Sequence, residues 1–136
     1  RDAQESRGLG DVYKRQRLKD QLCDLTDQFI LPESCPDSRP SWFGFLITCK
    51  NGIDKNHVVQ YLESHGVQTR MLFSGNLIKQ PCFNEMRKMQ TGYRKCSSLE
   101  TTDLIMERTF WIGVYPGMTD EMIDYMARML REAVRA

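Results

Sequence analysis

The sequence predicts an α+β fold, a small sheet with helices packed against one side. Three observations carry that expectation. The chain has 136 residues, which is one domain's worth. Three runs rich in β-formers, WFGFLITC, VQTRMLF and TFWIGVY, are separated by stretches of helical period. The resulting order, α-β-α-β-loop-α-β-α, gives each strand a helix to bury one face against, and no internal repeat interrupts it.

The elements follow in order. In Arg17 to Gln28, Leu18, Leu22, Leu25 and Phe29 recur at spacings of four, three and four, which predicts a helix with one apolar face. Pro32 ends it, and PESCPDSRP (Pro32 to Pro40) is a loop. Trp42 to Cys49 is a buried strand, followed by the turn signal Asn51-Gly52. Asp54 caps a helix carrying Val58, Tyr61 and Leu62, and Gly66 stops it. Val67 to Phe73 is a second strand, and Ser74 to Thr91 is irregular. Ser97 to Arg108 is a helix whose faces are set by Leu99, Asp103, Ile105 and Met106, and Thr109 to Tyr115 is the third strand. After Pro116-Gly117, Thr119 caps a last helix running to about Arg135. Asp120 and Glu121 in its first turn, and Arg128, Arg131 and Arg135 toward its end, suit the helix dipole.

Charge and composition exclude several functions. Nineteen Lys and Arg stand against eighteen Asp and Glu, a net charge of +1, which draws neither nucleic acid nor an anionic membrane surface. No apolar run approaches the roughly 20 residues of a membrane span. The cysteines, Cys23, Cys35, Cys49, Cys82 and Cys96, form no CxxC pair, so no metal site is expected and the thiols read as reduced, in a cytoplasmic protein. His57 and His65 lie at a helix start and a helix end, neither near a nucleophile. Met118, Met122, Met126 and Met129, with Ile123, Leu130 and Val134 beside them, form an apolar stripe on the last helix, expected to pack in the core.

The segment TRMLFSGNLIKQPCF (Thr69 to Phe83) stands apart. Arg70 lies in an apolar strand, where an arginine is either paired internally or meets an anion, and composition alone leaves both open. Ser74, Gly75, Asn76, Lys79 and Gln80 follow in a long loop of the kind that carries function. At these residues a resemblance emerges. PSWFGFLIT, TRMLFSGNLIKQPCF and RTFWIGVYPGMT resemble the C-terminal domain of the DegT/DnrJ/StrS family of sugar aminotransferase-like enzymes. SGNLIKQP and FWIGVYPG resemble its dehydratase branch, which includes an enzyme of lipopolysaccharide biosynthesis that acts on CDP-4-keto-6-deoxy-D-glucose. Ordinary members of the family carry a His/Tyr/Pro-rich string in that loop.

The resemblance implies the small C-terminal domain of a fold-type I enzyme dependent on pyridoxal phosphate or pyridoxamine phosphate, a homodimer whose cofactor sits in a large upstream domain. It implies a nucleotide-diphosphate 4-keto-6-deoxy sugar as substrate, loss of the C3 hydroxyl, and an upstream histidine where aminotransferases have a lysine. It also implies substrate-side roles for Arg70, Gly75, Asn76, Lys79 and Gln80, and no catalytic residue in residues 17–136. One family member uses an iron–sulfur cluster whose cysteines would lie upstream; the cysteines here do not match its pattern, which leaves the cluster neither assigned nor excluded. Two alternatives stand beside this reading: an aminotransferase of the same family, or a non-catalytic α+β binding module.

Residues 1–16 carry a resemblance of another kind. SRGLGDVYKRQ (Ser6 to Gln16) is similar to the translation of a transposase-type sequencing adapter. The segment is therefore expected to lie outside the fold, leaving residues 17–136 as the C-terminal part of a longer enzyme, inactive alone and with a net charge of zero.

Overall fold

The structure is a computed structural model that describes residues 2–38 and 40–136, with side chains described from residue 10 onward except residue 11. A four-stranded sheet has the order β1-β2-β4-β3, from β1 (Phe29–Ile30), β2 (Gly44–Cys49), β3 (Thr69–Met71) and β4 (Thr109–Gly113). All neighbours are antiparallel. The helices are α1 (Asp2–Gln21), α2 (Lys55–Ser64), α3 (Asn84–Met89), α4 (Glu100–Arg108) and α5 (Asp120–Ala133).

Alternation along the strands divides the sheet into two unlike faces. Phe45, Ile47 and Cys49 of β2 and Phe110, Ile112 and Val114 along β4 are fully buried, under α5 and α2, where Val58, Leu62, Ile123 and Leu130 complete the core. Each large side chain so buried contributes roughly 1.5–3 kcal/mol. Leu46, Thr48, Trp111, Gly113 and Arg70 point the other way; α4 stands beside Thr48, and among the described residues no helix covers Leu46, Trp111, Gly113 and Arg70.

Several boundaries differ from the sequence expectation. The first helix starts at Asp2 rather than Arg17 and stops at Gln21. Upstream of Arg17 the helical face continues: Arg15 lies one turn before Leu18, and Lys14 reaches Asp120 of α5 at 2.6 Å. Downstream the chain unwinds through a 3-10 turn at Cys23–Leu25, so that Phe29 pairs with Cys49 as β1 instead of extending the helix. Of the segment expected outside the fold, Arg1 and the side chains of residues 2–9 and 11 lie beyond the described residues, whereas Tyr13, Lys14 and Arg15 make contacts with the body. The stretch after β3 holds two 3-10 turns and α3, a helix too short to show a period in the sequence. Met118, Met126 and Met129 are buried as expected, but Met122 is 49% exposed. Among the described residues no helix is long and apolar enough to cross a membrane, and no cluster of His, Cys, Asp or Glu could hold a metal ion.

Candidate functional site

Arg70 sits on edge strand β3, directly opposite Trp111 of β4. It is exposed and, among the described residues, makes no ion pair. Period 2 turns Val67 and Thr69 inward and leaves Gln68 and Arg70 on the exposed face. Its Nη1 donates to the Thr69 carbonyl at 3.0 Å, and with the Gln68 amide oriented to satisfy both groups, the Gln68 side-chain oxygen accepts from Arg70 at 3.2 and 3.3 Å. Glu63 takes no bond from the guanidinium; it accepts from the Thr69 N–H and hydroxyl, which hold its carboxyl below the ordinary range.

The loop that follows is braced from within. Gly75 adopts φ +60, and any side chain there would run into Met106 of α4. Asn76 is 5% exposed; its Oδ1 caps the turn Leu77–Lys79 by accepting from the Ile78 N–H, and its Nδ2 donates to Asp103 at 2.7 Å. Lys79 reaches the other oxygen of Asp103 at 2.9 Å. The Asn76 bond first, and Lys79 second, hold the Asp103 carboxyl below its ordinary value. Gln80 donates to the Ser74 carbonyl at 2.5 Å. The structure therefore ties Gly75, Asn76 and Lys79 to α4 through Met106 and Asp103, ties Gln80 to Ser74 within the loop, and sets Arg70 apart from them.

Arg70 instead lines a cleft of about 670 Å³ where β3, the end of β4 and the side of α5 meet. Gln68, Trp111, Gly113, Tyr115, Glu121 and Tyr125 share it. Sequence reasoning missed Trp111; its signal was strand alternation, which puts it on the same face as Arg70. A second, apolar hollow of about 480 Å³ on the outer sheet face is lined by Trp42, Phe43, Leu46, Leu72, Phe73 and Trp111. Burial pushes the thiol of Cys49 up to about 11, which makes it a core residue rather than a nucleophile.

The residues present do not fit a pyridoxal-type cofactor. Lys14, Lys79 and Lys88 meet carboxylates, and Lys50 and Lys55 meet the carbonyls of Thr26 and Met106, so none of these is a free, desolvated amine. Helices α2, α4 and α5 open on Asp54, on Glu100 and Asp103, and on Asp120 and Glu121, which repel a phosphate where a helix N-terminus would otherwise hold one.

Residues 13–131 match the sequence profile of the DegT/DnrJ/EryC1/StrS aminotransferase family. A dTDP-4-dehydro-2,6-dideoxy-D-glucose 3-dehydratase from Saccharopolyspora spinosa is 42% identical over 130 residues, 93% of this chain and 27% of that protein. The lipopolysaccharide biosynthesis protein RfbH of Salmonella typhimurium is 44% identical over 117 residues, 85% of this chain and 26% of that protein. The chain thus spans about a quarter of the length of these relatives. Among solved structures, a GDP-4-keto-6-deoxymannose-3-dehydratase with a trapped PLP-glutamate geminal diamine superimposes with a TM-score of 0.73 at 18% identity, over 93% of this chain and 31% of that one. DesV of S. venezuelae superimposes with a TM-score of 0.77 at 14% identity, over 97% of this chain and 33% of that one. These likenesses establish the fold of the small mixed domain.

Proposed function

The chain belongs to the DegT/DnrJ/EryC1/StrS aminotransferase family, and on that premise we propose that it is the C-terminal domain of a pyridoxamine- or pyridoxal-phosphate-dependent nucleotide-sugar 3-dehydratase of deoxysugar and lipopolysaccharide biosynthesis. The observation that carries this reading is the 42% identity, over nearly the whole chain, to a sugar 3-dehydratase. The cofactor, held by the remainder of the whole protein, supplies the electron sink for loss of the C3 hydroxyl. This domain supplies substrate-side groups and is inactive alone. The whole enzyme is a homodimer in this reading.

The chain's own residues divide the work. Arg70 keeps guanidinium N–H groups for an anionic oxygen beyond those spent on Thr69 and Gln68. Gly75 lets the loop backbone approach closely. Asn76, Lys79 and Gln80 form a second substrate-side group in this proposal, apart from Arg70, with Asn76 and Lys79 fixing the loop through Asp103. Residues 1–16 are adapter-derived in this proposal, with Tyr13, Lys14 and Arg15 drawn into contacts with the body.

The test is the upstream sequence of the source gene, followed by assay of the full-length protein with pyridoxamine phosphate and a 4-keto-6-deoxy nucleotide sugar. A histidine at the cofactor position and release of the C3 hydroxyl support the dehydratase. A lysine there with amino transfer identifies the runner-up, an aminotransferase, and the absence of a cofactor domain leaves a binding module.

A further inference from the structure

The two most exposed large apolar side chains among the described residues, Phe73 and Phe43, line the same hollow on the outer sheet face. Trp42, Leu46, Leu72 and Trp111 continue its apolar surface. Gly44 leaves the floor to the indole of Trp111, which would stand 2.8 Å from a Cβ added there. Phe43 meets that indole edge-on, at 5.5 Å between centroids and 89° between planes. The lining is apolar but for Glu33, which faces Lys19 at 3.9 Å, and Ser41. A small-molecule pocket would have several polar groups converging on its ligand. An apolar surface of this kind is one that another protein surface covers. Phe73 is also presented by its backbone. Its N–H donates to the Met71 carbonyl at 2.8 Å, its φ is +48, and the turn that follows is tied to α4 at Gly75 and Asn76. That φ costs an aromatic residue energy, and a ring left in solvent offsets none of it.

We infer that this hollow is where the upstream, cofactor-holding part of the same polypeptide docks, with Phe73 and Phe43 as the anchors buried in the joint. The inference rests on the reading above, that the chain is the C-terminal domain of a longer enzyme. Two observations choose this occupant over a second copy. The chain spans 27% and 26% of two relatives, so about three quarters of a protein of that length lies outside the structure, ample to cover one face. The second observation is the course of α1. Leu18 fixes the helix in the core, Arg15 one turn earlier lies 4.9 Å from the ring of Trp42, and a Cβ at Gly10 would stand 3.3 Å from Pro116. Followed backward, the helix runs past the Trp42 rim of the hollow. A part joined to α1 is thereby held beside the hollow, and the covalent link raises its effective concentration there above that of a separate molecule. Buried aromatic rings are common anchors of such joints. Trp111 lines both this hollow and the Arg70 cleft, so the joint borders that cleft.

The experiment uses the full-length protein. Phe73→p-benzoylphenylalanine is illuminated, and the product is read on a denaturing gel and by mass spectrometry of its peptides. The expected result is a cross-link at monomer mass from position 73 to a peptide absent from the 136-residue chain. Phe43→p-benzoylphenylalanine, in the same hollow, repeats the measurement should the first variant fail to fold. Hydroxyl-radical oxidation of the unsubstituted protein is the second readout. Phe43 and Phe73 should be oxidised about tenfold less in the full-length protein than in the 136-residue chain, and no faster than the buried Phe45 and Phe110. A cross-link at dimer mass assigns the face to a second copy and overturns the inference. So does a cross-link confined to peptides of the 136-residue chain, or oxidation of Phe43 and Phe73 that the full-length protein does not slow. If the upstream part docks here and carries no cofactor site, the joint stands and the dehydratase reading fails. If it carries that site and Phe73 stays in solvent, the dehydratase reading stands and the joint fails.

Discussion

Asp103 shows what a single carboxylate does when two neighbours converge on it. Asn76 and Lys79 stabilise its charged form, so its folded pKa lies below the ordinary value of about 3.9. The stabilisation it gives the loop is complete above that ordinary value and disappears as pH falls through the lower, folded value. The Asn76 side-chain amide signals should accordingly stay protected at mildly acidic pH and collapse toward solvent-like shifts only below the normal carboxylate range. Collapse near neutrality would show that Asp103 does not hold the loop. Asn76→Ala removes the cap on Leu77–Lys79 and should cost about 0.5–2 kcal/mol, read by urea unfolding. The sequence singled out Asn76 and Lys79 but gave no sign of this bond, because Asp103 lies 27 residues away and only the fold brings it near. Arg15 is the opposite case, a buried group that is poorly served. It is 6% exposed, stacks its guanidinium 4.9 Å from the ring of Trp42 and bonds Ser34, yet its Nε has no partner. Arg15→Met keeps the stem but removes the Ser34 bond and the charge over Trp42 together with the orphan donor, so the terms offset and stability should change by less than about 1 kcal/mol. A loss well above about 1 kcal/mol in urea unfolding would mean that the Ser34 bond and the Trp42 stacking outweigh the orphan donor.

Helix α5 is the element on which the fold depends most, and the one whose sequence was easiest to read. Thr119 caps it by accepting from the Met122 N–H at 3.3 Å, and Ile123, Met126, Ala127, Leu130 and Ala133 lie on its buried face, between α1 and α2. Leu130 is fully buried, so Leu130→Ala should cost about 2–5 kcal/mol, a large share of a small domain's stability, seen as a lower denaturant midpoint. A cost under about 1 kcal/mol would mean that the site collapses around the smaller side chain. Strong period and clear caps made α2 and α5 legible, and the sheet segments too, to within a few residues. What remained hidden had weaker local signals. β1 is two residues long and exists only because Phe29 and Ile30 find Cys49 and Thr48. Leu25 and Phe29 continue a helical spacing, and tertiary pairing overrides it. Arg70 was read inside an apolar run, whereas alternation alone would have sent it outward with Gln68.

Across the whole molecule, one sheet face is sealed by helices and the other is open, and the open face concentrates the chemistry. Phe73 is 83% exposed with φ +48, a conformation that costs an aromatic residue energy, and Phe43 beside the apolar hollow is 72% exposed. Phe73→Gly should relieve that backbone and raise stability by up to about 1 kcal/mol while reducing the binding of a hydrophobic dye; a clear loss of stability would mean that the ring packs against the body. The same openness bears on the cofactor. An imine with pyridoxal phosphate needs a free amine beside a phosphate cradle, and six of the chain's lysines are engaged elsewhere. Lys14, Lys19, Lys79 and Lys88 meet carboxylates, and Lys50 and Lys55 are spent on carbonyls. The starts of α2, α4 and α5, where a phosphate would otherwise meet free N–H groups, carry acidic side chains. Mixing the purified chain with pyridoxal phosphate should therefore give only the slow, non-stoichiometric imine absorbance of surface lysines, abolished by a modest excess of free lysine. A saturating one-to-one band that survives free lysine would mean that the domain holds the cofactor itself, and the division of labour proposed for the whole enzyme, cofactor on one part and substrate-side groups on this one, would have to be abandoned.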